Sequence, residues 1–204
     1  MNKSRLEAFS DALFAVIITI MVLELKAPEN YTLAALRPLM PIFLSYVLSF
    51  VYGAVFWINH HYLLTATRRI SNGVLWANLN FLFWLSLIPF FTAWVDENHF
   101  HSVPVAAYGM VLFMVFVSYR VLELILLRIH DADAPIVRAL CHGGREKASV
   151  LIIFVAILLS FVHPMISMGI YVGLAAWWII PTRAMRCAVT DLNMIPASTR
   201  KEKR

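Results

Sequence analysis

The chain has 204 residues, of which 61% are hydrophobic and 14% are charged, and its net charge is +5. A soluble domain carries charges on about a quarter of its residues, so this composition argues against a soluble protein. The apolar residues come in blocks of about 20, the length that an α-helix needs to cross a bilayer. The basic residues lie between and after these blocks, where membrane topology explains them better than nucleic-acid binding does. We therefore predict an all-α polytopic membrane protein that has the lipid bilayer, and no nucleic acid, as a partner.

The apolar blocks predict six transmembrane helices. They lie at about residues 6–25, 38–64, 71–95, 104–127, 148–162 and 164–181. The first block is interpreted as a retained span, because Glu7 and Asp11 interrupt the region where a cleaved signal peptide would be apolar. No internal repeat relates the first three spans to the last three. We expect one transmembrane domain over residues 1–190 and a polar cytoplasmic tail over residues 191–204.

The distribution of lysine and arginine orients these spans. With the N-terminus in the cytoplasm, the inner segments hold all of the 17 basic residues except Lys26, Arg37 and Arg120. Because cytoplasmic loops are enriched in basic residues, both termini are predicted to be cytoplasmic. Cys141 and Cys187 then lie on the cytoplasmic side, where a disulfide is not expected.

A polar run marks the entrance of the first predicted helix. It reads Arg5-Leu6-Glu7-Ala8-Phe9-Ser10-Asp11. Ionisable groups within a membrane helix are unfavourable by about 2.5–3.5 kcal/mol each near its centre on insertion scales, and by less toward its ends. The retention of these groups at the membrane entrance indicates that they have a role.

C-terminal to this run, one face of the first helix is apolar. Val16, Ile20 and Leu23 recur at helical spacing on that face, and Thr19 flanks it. Asp11 lies about 140° around the helix from Val16 at 3.6 residues per turn. Periodicity alone favours a lipid-facing or core stripe. The alternative is a hydrophobic constriction that gates by dewetting, as some channel pores do.

The polar run also resembles a known sequence signature. Arg5-x-x-x-Phe9-Ser10-Asp11 is similar to the first-helix motif of the transmembrane protein 175 family, the endosomal and lysosomal potassium channels and their bacterial relatives. The other matching segments are Leu23-Glu24-Leu25-Lys26, Phe56-Trp57-Ile58-Asn59-His60-His61, Asn78-x-Asn80 and Leu87-Ile88-Pro89-Phe90. The length and the six-span layout resemble the bacterial branch, which has one six-helix unit per chain.

The resemblance implies a potassium-permeable channel in which the first helices of a homotetramer line a central pore. Carried over by distance from Asp11, the constriction is expected at Val16, and the next pore-facing layers at Ile20 and Leu23. Thr19 is expected to contribute to cation preference. Family members often have Ile or Leu where this chain has Val16, which implies a wider bottleneck here. No cofactor and no fixed metal site are expected, and potassium is the permeating ion.

Two inferences need no family. A single pore helix per chain cannot enclose a pathway, so copies must gather round an axis, and closed cyclic symmetry is the usual outcome.

A charge buried in a membrane persists only when it is paired, so we hypothesise that Asp11 accepts hydrogen bonds from a histidine, an asparagine or Arg5. The alternative is that the histidines are hydrated at the cytoplasmic interface. The network that holds the first helix would comprise Arg5, Phe9, Ser10, Asp11, His60, Asn78 and Asn80.

Other charged residues have simpler interpretations. Arg120 and Glu123 are three residues apart on the fourth span and are predicted to pair on one helix face. Glu24 lies at the outer end of the first helix, where it either concentrates cations at the pore mouth or pairs with Lys26.

The sequence leaves three classes of function to compare. A passive cation channel leads, and the alternative is a proton-coupled secondary transporter of a small cation, which predicts a mid-membrane ionisable site and broken helices or repeats. An integral membrane enzyme is the third class. His60-His61 and His99-x-His101 fall on opposite sides of the membrane and cannot share a metal, and no nucleophile–base set stands out. We therefore do not expect an enzyme.

Overall fold

The computed structural model describes residues 2–28, 31–67, 69–130 and 144–179, and the regular structure in these ranges is entirely helical. The helices are α1 (Lys3–Leu23), a 3₁₀ helix (Leu33–Leu39), α2 (Met40–Ala66), α3 (Asn72–Ser86), α4 (Ile88–Glu97), α5 (Ser102–Ile129), α6 (Gly144–Ser160) and α7 (Pro164–Ile179). The predicted all-α class is confirmed. The predicted cytoplasmic tail, Cys141 and Cys187 lie outside the described residues.

Four helical stretches in the described ranges are long and apolar enough to cross a membrane. They are Lys3–Leu23, Leu33–Ala66, Asn72–Glu97 and Ser102–Ile129. α7 is apolar but has 16 residues, and α6 has 17, of which the first turn is charged. The chain is therefore a multi-pass helical protein, whereas the count of six spans stays a prediction.

The third predicted span is two helices rather than one. α3 ends at Ser86 and α4 begins at Ile88, with Leu87 as the shared cap. Pro89 explains the break, because proline has no backbone N–H to bond to the preceding turn and its ring collides with the carbonyl four residues earlier. Hydrogen bonds from Leu87 N to Trp84 O at 3.2 Å and from Phe91 N to Leu87 O at 3.2 Å continue across it. The break is thus a kink in an otherwise bonded segment.

α5 is the central helix of the bundle, since it packs against α3, α4, α6 and α7. Its C-terminal half contributes Phe116 and Tyr119 to an aromatic core. Ring centroids lie 4.9 Å apart for Phe56 and Phe116, 5.2 Å for Phe116 and Trp178, and 5.4 Å for Phe81 and Tyr119. Aromatic pairs at such distances add about 0.5–1.5 kcal/mol each beyond the apolar area that they bury. This core joins α2, α3, α5 and α7 into one scaffold.

Gly109 on α5 permits the close approach of α6 and α7. A Cβ atom at this position would overlap the Tyr171 hydroxyl, and would lie 2.8 Å from Tyr171 Cζ and 2.9 Å from Ile157 Cγ1. Tyr171 cannot move freely, because its backbone oxygen accepts a 2.7 Å hydrogen bond from the Tyr52 hydroxyl and its side chain is buried. The position therefore requires a residue without a side chain.

We predict that Gly109→Ala lowers the stability of the protein by about 1–3 kcal/mol, the usual effect of overpacking a core. Gly173→Ala on α7 is the matched control, because nothing lies within 4 Å of the added Cβ. Thermal unfolding of the purified variants, followed by intrinsic fluorescence, checks this expectation. Equal melting temperatures for the two variants would contradict the packing role of Gly109.

Candidate functional site

The first helix has one buried face and one face that its own subunit leaves uncovered. The buried face repeats every three or four residues and consists of Leu6, Ser10, Phe14, Ile17 and Met21. The residues predicted to line a pore lie outside this buried face. Val16 is 52% exposed, Ile20 42% and Leu23 78%, and Thr19 is also exposed. The structure thus brings all four onto one open, mainly apolar surface.

The Thr19 hydroxyl is oriented by its own helix. Its Oγ1 donates to Val16 O at 2.8 Å and lies 3.0 Å from Ala15 O. Because a hydroxyl has one proton and two lone pairs, a hydroxyl that donates to the backbone presents only lone pairs to its surroundings. Thr19 therefore offers an oxygen acceptor beside the apolar side chains of Val16 and Ile20.

A buried chain of hydrogen bonds ties α1 to α2 and α3. Asn78 Nδ2 donates to Ser10 Oγ at 3.0 Å, and Ser10 Oγ donates to Leu6 O at 2.9 Å. His60 Nε2 lies 2.7 Å from Asn78 Oδ1. An amide oxygen can only accept, so His60 must carry its proton on Nε2. All three side chains are almost fully buried.

Two aromatic rings enclose the imidazole of this chain. The His60 ring lies 5.6 Å from the Phe14 ring and 5.7 Å from the Phe81 ring, nearly parallel to the latter. Asn78 supplies the amide that joins His60 to Ser10, so the polar groups of three helices satisfy one another within an apolar enclosure. Such groups are expensive to leave unpaired, and this arrangement fixes the rotation of α1 against its neighbours.

Asp11 is held by a residue that sequence reasoning did not select. The Trp57 indole N–H donates to Asp11 Oδ1 at 2.9 Å, and both side chains are exposed. The hypothesis named a histidine, an asparagine or Arg5 as the donor. Trp57 lies three residues before His60 and hence on the same side of α2, so the segment around His60 contained the signal.

The remaining signature residues lie on the surface of the single chain. Arg5, Phe9 and Asn80 are exposed, and the structure does not bring them into the chain formed by Ser10, Asn78 and His60. Glu24 is exposed at the carboxyl end of α1, where it is the C-cap residue.

The predicted pair on α5 is confirmed. Arg120 Nη1 lies 2.8 Å from Glu123 Oε2, and the Glu123 side chain is 1% exposed. Nothing in this geometry resembles a run of arginines that would sense voltage.

Comparison with known proteins identifies the family of this chain. A family profile described as "Endosomal/lysosomal potassium channel TMEM175" matches residues 5–89, which include α1, α2, α3 and the Pro89 kink. A potassium channel of Chryseobacterium sp. (strain P1-3) is 43% identical over 191 residues, which cover 94% of this chain and 100% of that protein. The chain belongs to the TMEM175 family.

Two further similarities agree with membership of the TMEM175 family. A potassium channel of Streptomyces collinus is 31% identical over 153 residues, covering 68% of this chain and 74% of that protein. The crystal structure of a lysosomal potassium-selective channel TMEM175 homolog from Chamaesiphon minutus superposes with a TM-score of 0.77 at 27% identity. That superposition covers 87% of this chain and 96% of the homolog.

We predict that Asn78→Ala destabilises the protein, because it leaves Ser10 and His60 without partners in a buried site. Each unsatisfied buried polar group is unfavourable by about 1–3 kcal/mol. Asn80→Ala is the matched control, since Asn80 lies two residues away on the exposed side of α3. Thermal unfolding of both purified variants measures the difference. If Asn80→Ala lowers the melting temperature as much as Asn78→Ala does, the buried chain is not what holds α1.

Proposed function

We propose that this chain forms a potassium-permeable cation channel, a homotetramer in the cell inner membrane whose α1 helices line the central pore. The single observation that carries the pore assignment is the exposed face of α1. Val16, Ile20 and Leu23 lie on it, outside the face that packs on α2, α3 and α4. The potassium channels among the relatives of this TMEM175 chain support the choice of ion.

Lipid alone could cover an apolar face, so the polar residue on this face also bears on the pore assignment. Thr19 adds an oxygen acceptor to this face. A helix in a narrow pore would use it, because a permeating cation that loses water needs oxygen ligands. One α1 per subunit cannot enclose a pathway, and closed cyclic symmetry supplies the other copies.

The proposed gate is apolar. Val16 forms the constriction, with Ile20 and Leu23 as further layers toward the carboxyl end of α1, and the pathway closes to ions by dewetting. Because valine is smaller than isoleucine or leucine, the constriction of this channel is expected to be wider than one formed by those residues. Glu24 at the end of α1 would concentrate cations at the pore mouth through its charge.

The rest of the proposal concerns topology. Six spans form one transmembrane domain over residues 1–190, both termini are cytoplasmic, and residues 191–204 form a cytoplasmic tail. Asp11 and the chain of Ser10, Asn78 and His60 would set the rotation of α1, with Arg5, Phe9 and Asn80 available to contact neighbouring subunits because they are exposed.

A proton-coupled transporter of a small cation is the alternative, and the kink at Leu87 is the observation that favours it, since carriers use broken helices. The kink has no ionisable residue within it, because Trp84 to Phe91 contains none. A carrier would be expected to place a proton-binding group there.

Reconstitution of the purified protein distinguishes a channel from a proton-coupled carrier. In planar bilayers, we expect the purified protein to give discrete single-channel steps with a reversal potential that follows the potassium gradient. The currents should persist when no proton gradient is applied. Flux that requires a proton gradient, and that shows no unitary steps, would favour the carrier and overturn the channel.

Cysteine substitution tests the pore-lining face. In a background with Cys141 and Cys187 replaced by serine, Val16→Cys should make the current sensitive to micromolar Cd²⁺, because a ring of thiolates binds a soft metal ion tightly. Val22→Cys is the control. Val22 is also exposed, yet it lies six residues from Val16 and so about 120° around the helix. Equal block of both variants, or of neither, would contradict the assignment.

A further inference from the structure

A cavity of about 710 Å³ lies where α1 and α4 end and the 3₁₀ helix leads into α2. Its walls are mostly apolar and include Leu25, Leu36, Leu39, Met40, Ile42 and Phe43. Cavities of about 300–1,000 Å³ with such walls are typical of small-molecule sites. The cavity lies beyond Leu23, so it is separate from the proposed constriction.

The charges around this cavity are predominantly negative. Glu24, Asp96 and Glu97 line it, and Lys26 is the basic residue among the lining side chains apart from His99. The carboxyl ends of α1 and α4 also meet there, and the end of a helix carries a partial negative charge. An anion would therefore be repelled from this site, and a cation would be attracted.

Asp96 is the carboxylate best placed to act as an anchor. It is half-buried, and the Ser45 hydroxyl donates a hydrogen bond to its Oδ1. Within the described ranges, no lysine or arginine forms an ion pair with it. Its position is fixed by Ser45 and its charge is not neutralised, which is the arrangement that binds a ligand cation.

We propose that this cavity binds an amphiphilic organic cation, a substituted ammonium group attached to a compact hydrocarbon body. The ammonium would contact Asp96, with Glu24 and Glu97 adding to the attraction, and the hydrocarbon would pack against Leu39, Met40 and Phe43. A metal ion is not favoured, because the described residues include no group of three or more His, Cys, Asp or Glu side chains that could hold one. A nucleotide or a fatty acid carries the wrong charge.

Calorimetric titration of the purified protein in nanodiscs tests the ligand class. Benzyltrimethylammonium carries both features, tetramethylammonium carries the charge alone, and benzyl alcohol carries the apolar body alone. We expect benzyltrimethylammonium to bind about tenfold or more tightly than either of the others. Equal affinity for all three, or no measurable binding of benzyltrimethylammonium, would overturn the proposal.

Variants locate the site. Asp96→Asn should weaken binding of benzyltrimethylammonium by about tenfold, the effect of losing a charge-assisted contact. Glu97→Gln changes only an exposed side chain that the proposed pore does not use, so it gives an answer even if Asp96→Asn does not fold, and it should weaken binding severalfold. Glu7→Gln, at the opposite end of α1 and paired with Lys3, is the matched control and should bind as the parent does.

One more variant distinguishes binding of benzyltrimethylammonium in this cavity from binding in the pore. If benzyltrimethylammonium bound in the pore, Leu23→Ala would change its affinity and the cavity variants would not, which would refute the proposal. Because binding is measured without ion conduction, the proposed binding site can be refuted while the channel assignment stands. The channel assignment can likewise be refuted while the binding site stands.

Discussion

The hydrogen-bonded chain of Ser10, Asn78 and His60 is the constraint on which the arrangement of α1 depends. Between helices in a membrane, apolar contact is poorly directional, because lipid tails are as apolar as leucine side chains. α1 is the least buried of the four long helical stretches, so apolar packing alone would specify its rotation weakly. Three polar groups that can be satisfied together in one arrangement specify it strongly.

Rotation matters because the side chains of α1 serve different purposes on different faces. A shift of one residue in register turns the helix by about 100°. Such a shift would move Val16, Ile20 and Leu23 away from the open face and would place Ser10 out of reach of Asn78. The polar residues near the start of α1 therefore determine where the apolar residues about two to four turns later point. The aromatic core around Phe56 and Phe116 provides the fixed scaffold against which α1 is held.

The two faces of α1 could be predicted from the sequence because helical periodicity is local information. The class of fold followed in the same way from the length and composition of the apolar blocks. The hydrogen-bond donor to Asp11 could not be predicted from the sequence, because Trp57 lies 46 residues away and tryptophan in a membrane protein is usually an interfacial anchor. The kink at Leu87 could not be predicted from Pro89 alone, because membrane helices often continue through proline. The cavity joins segments of α1, the 3₁₀ helix, α2 and α4, so no single pattern in the sequence describes it.

The kink also bears on how this protein moves ions. In carriers, a broken helix exposes unpaired backbone groups that coordinate the substrate near the middle of the membrane. Here the backbone bonds from Leu87 and Phe91 continue across the break, which leaves few free groups for that purpose. The buried hydroxyls near the kink are also occupied, since Thr92 Oγ1 lies 2.8 Å from Ile88 O and 2.7 Å from Ser49 Oγ. Pro89 thus redirects α4 toward α2 and α5, where Thr92 and Val95 are buried. A bend that closes the bundle in this way needs no transported substrate to explain it, and it leaves the open face of α1 as the better candidate for an ion pathway.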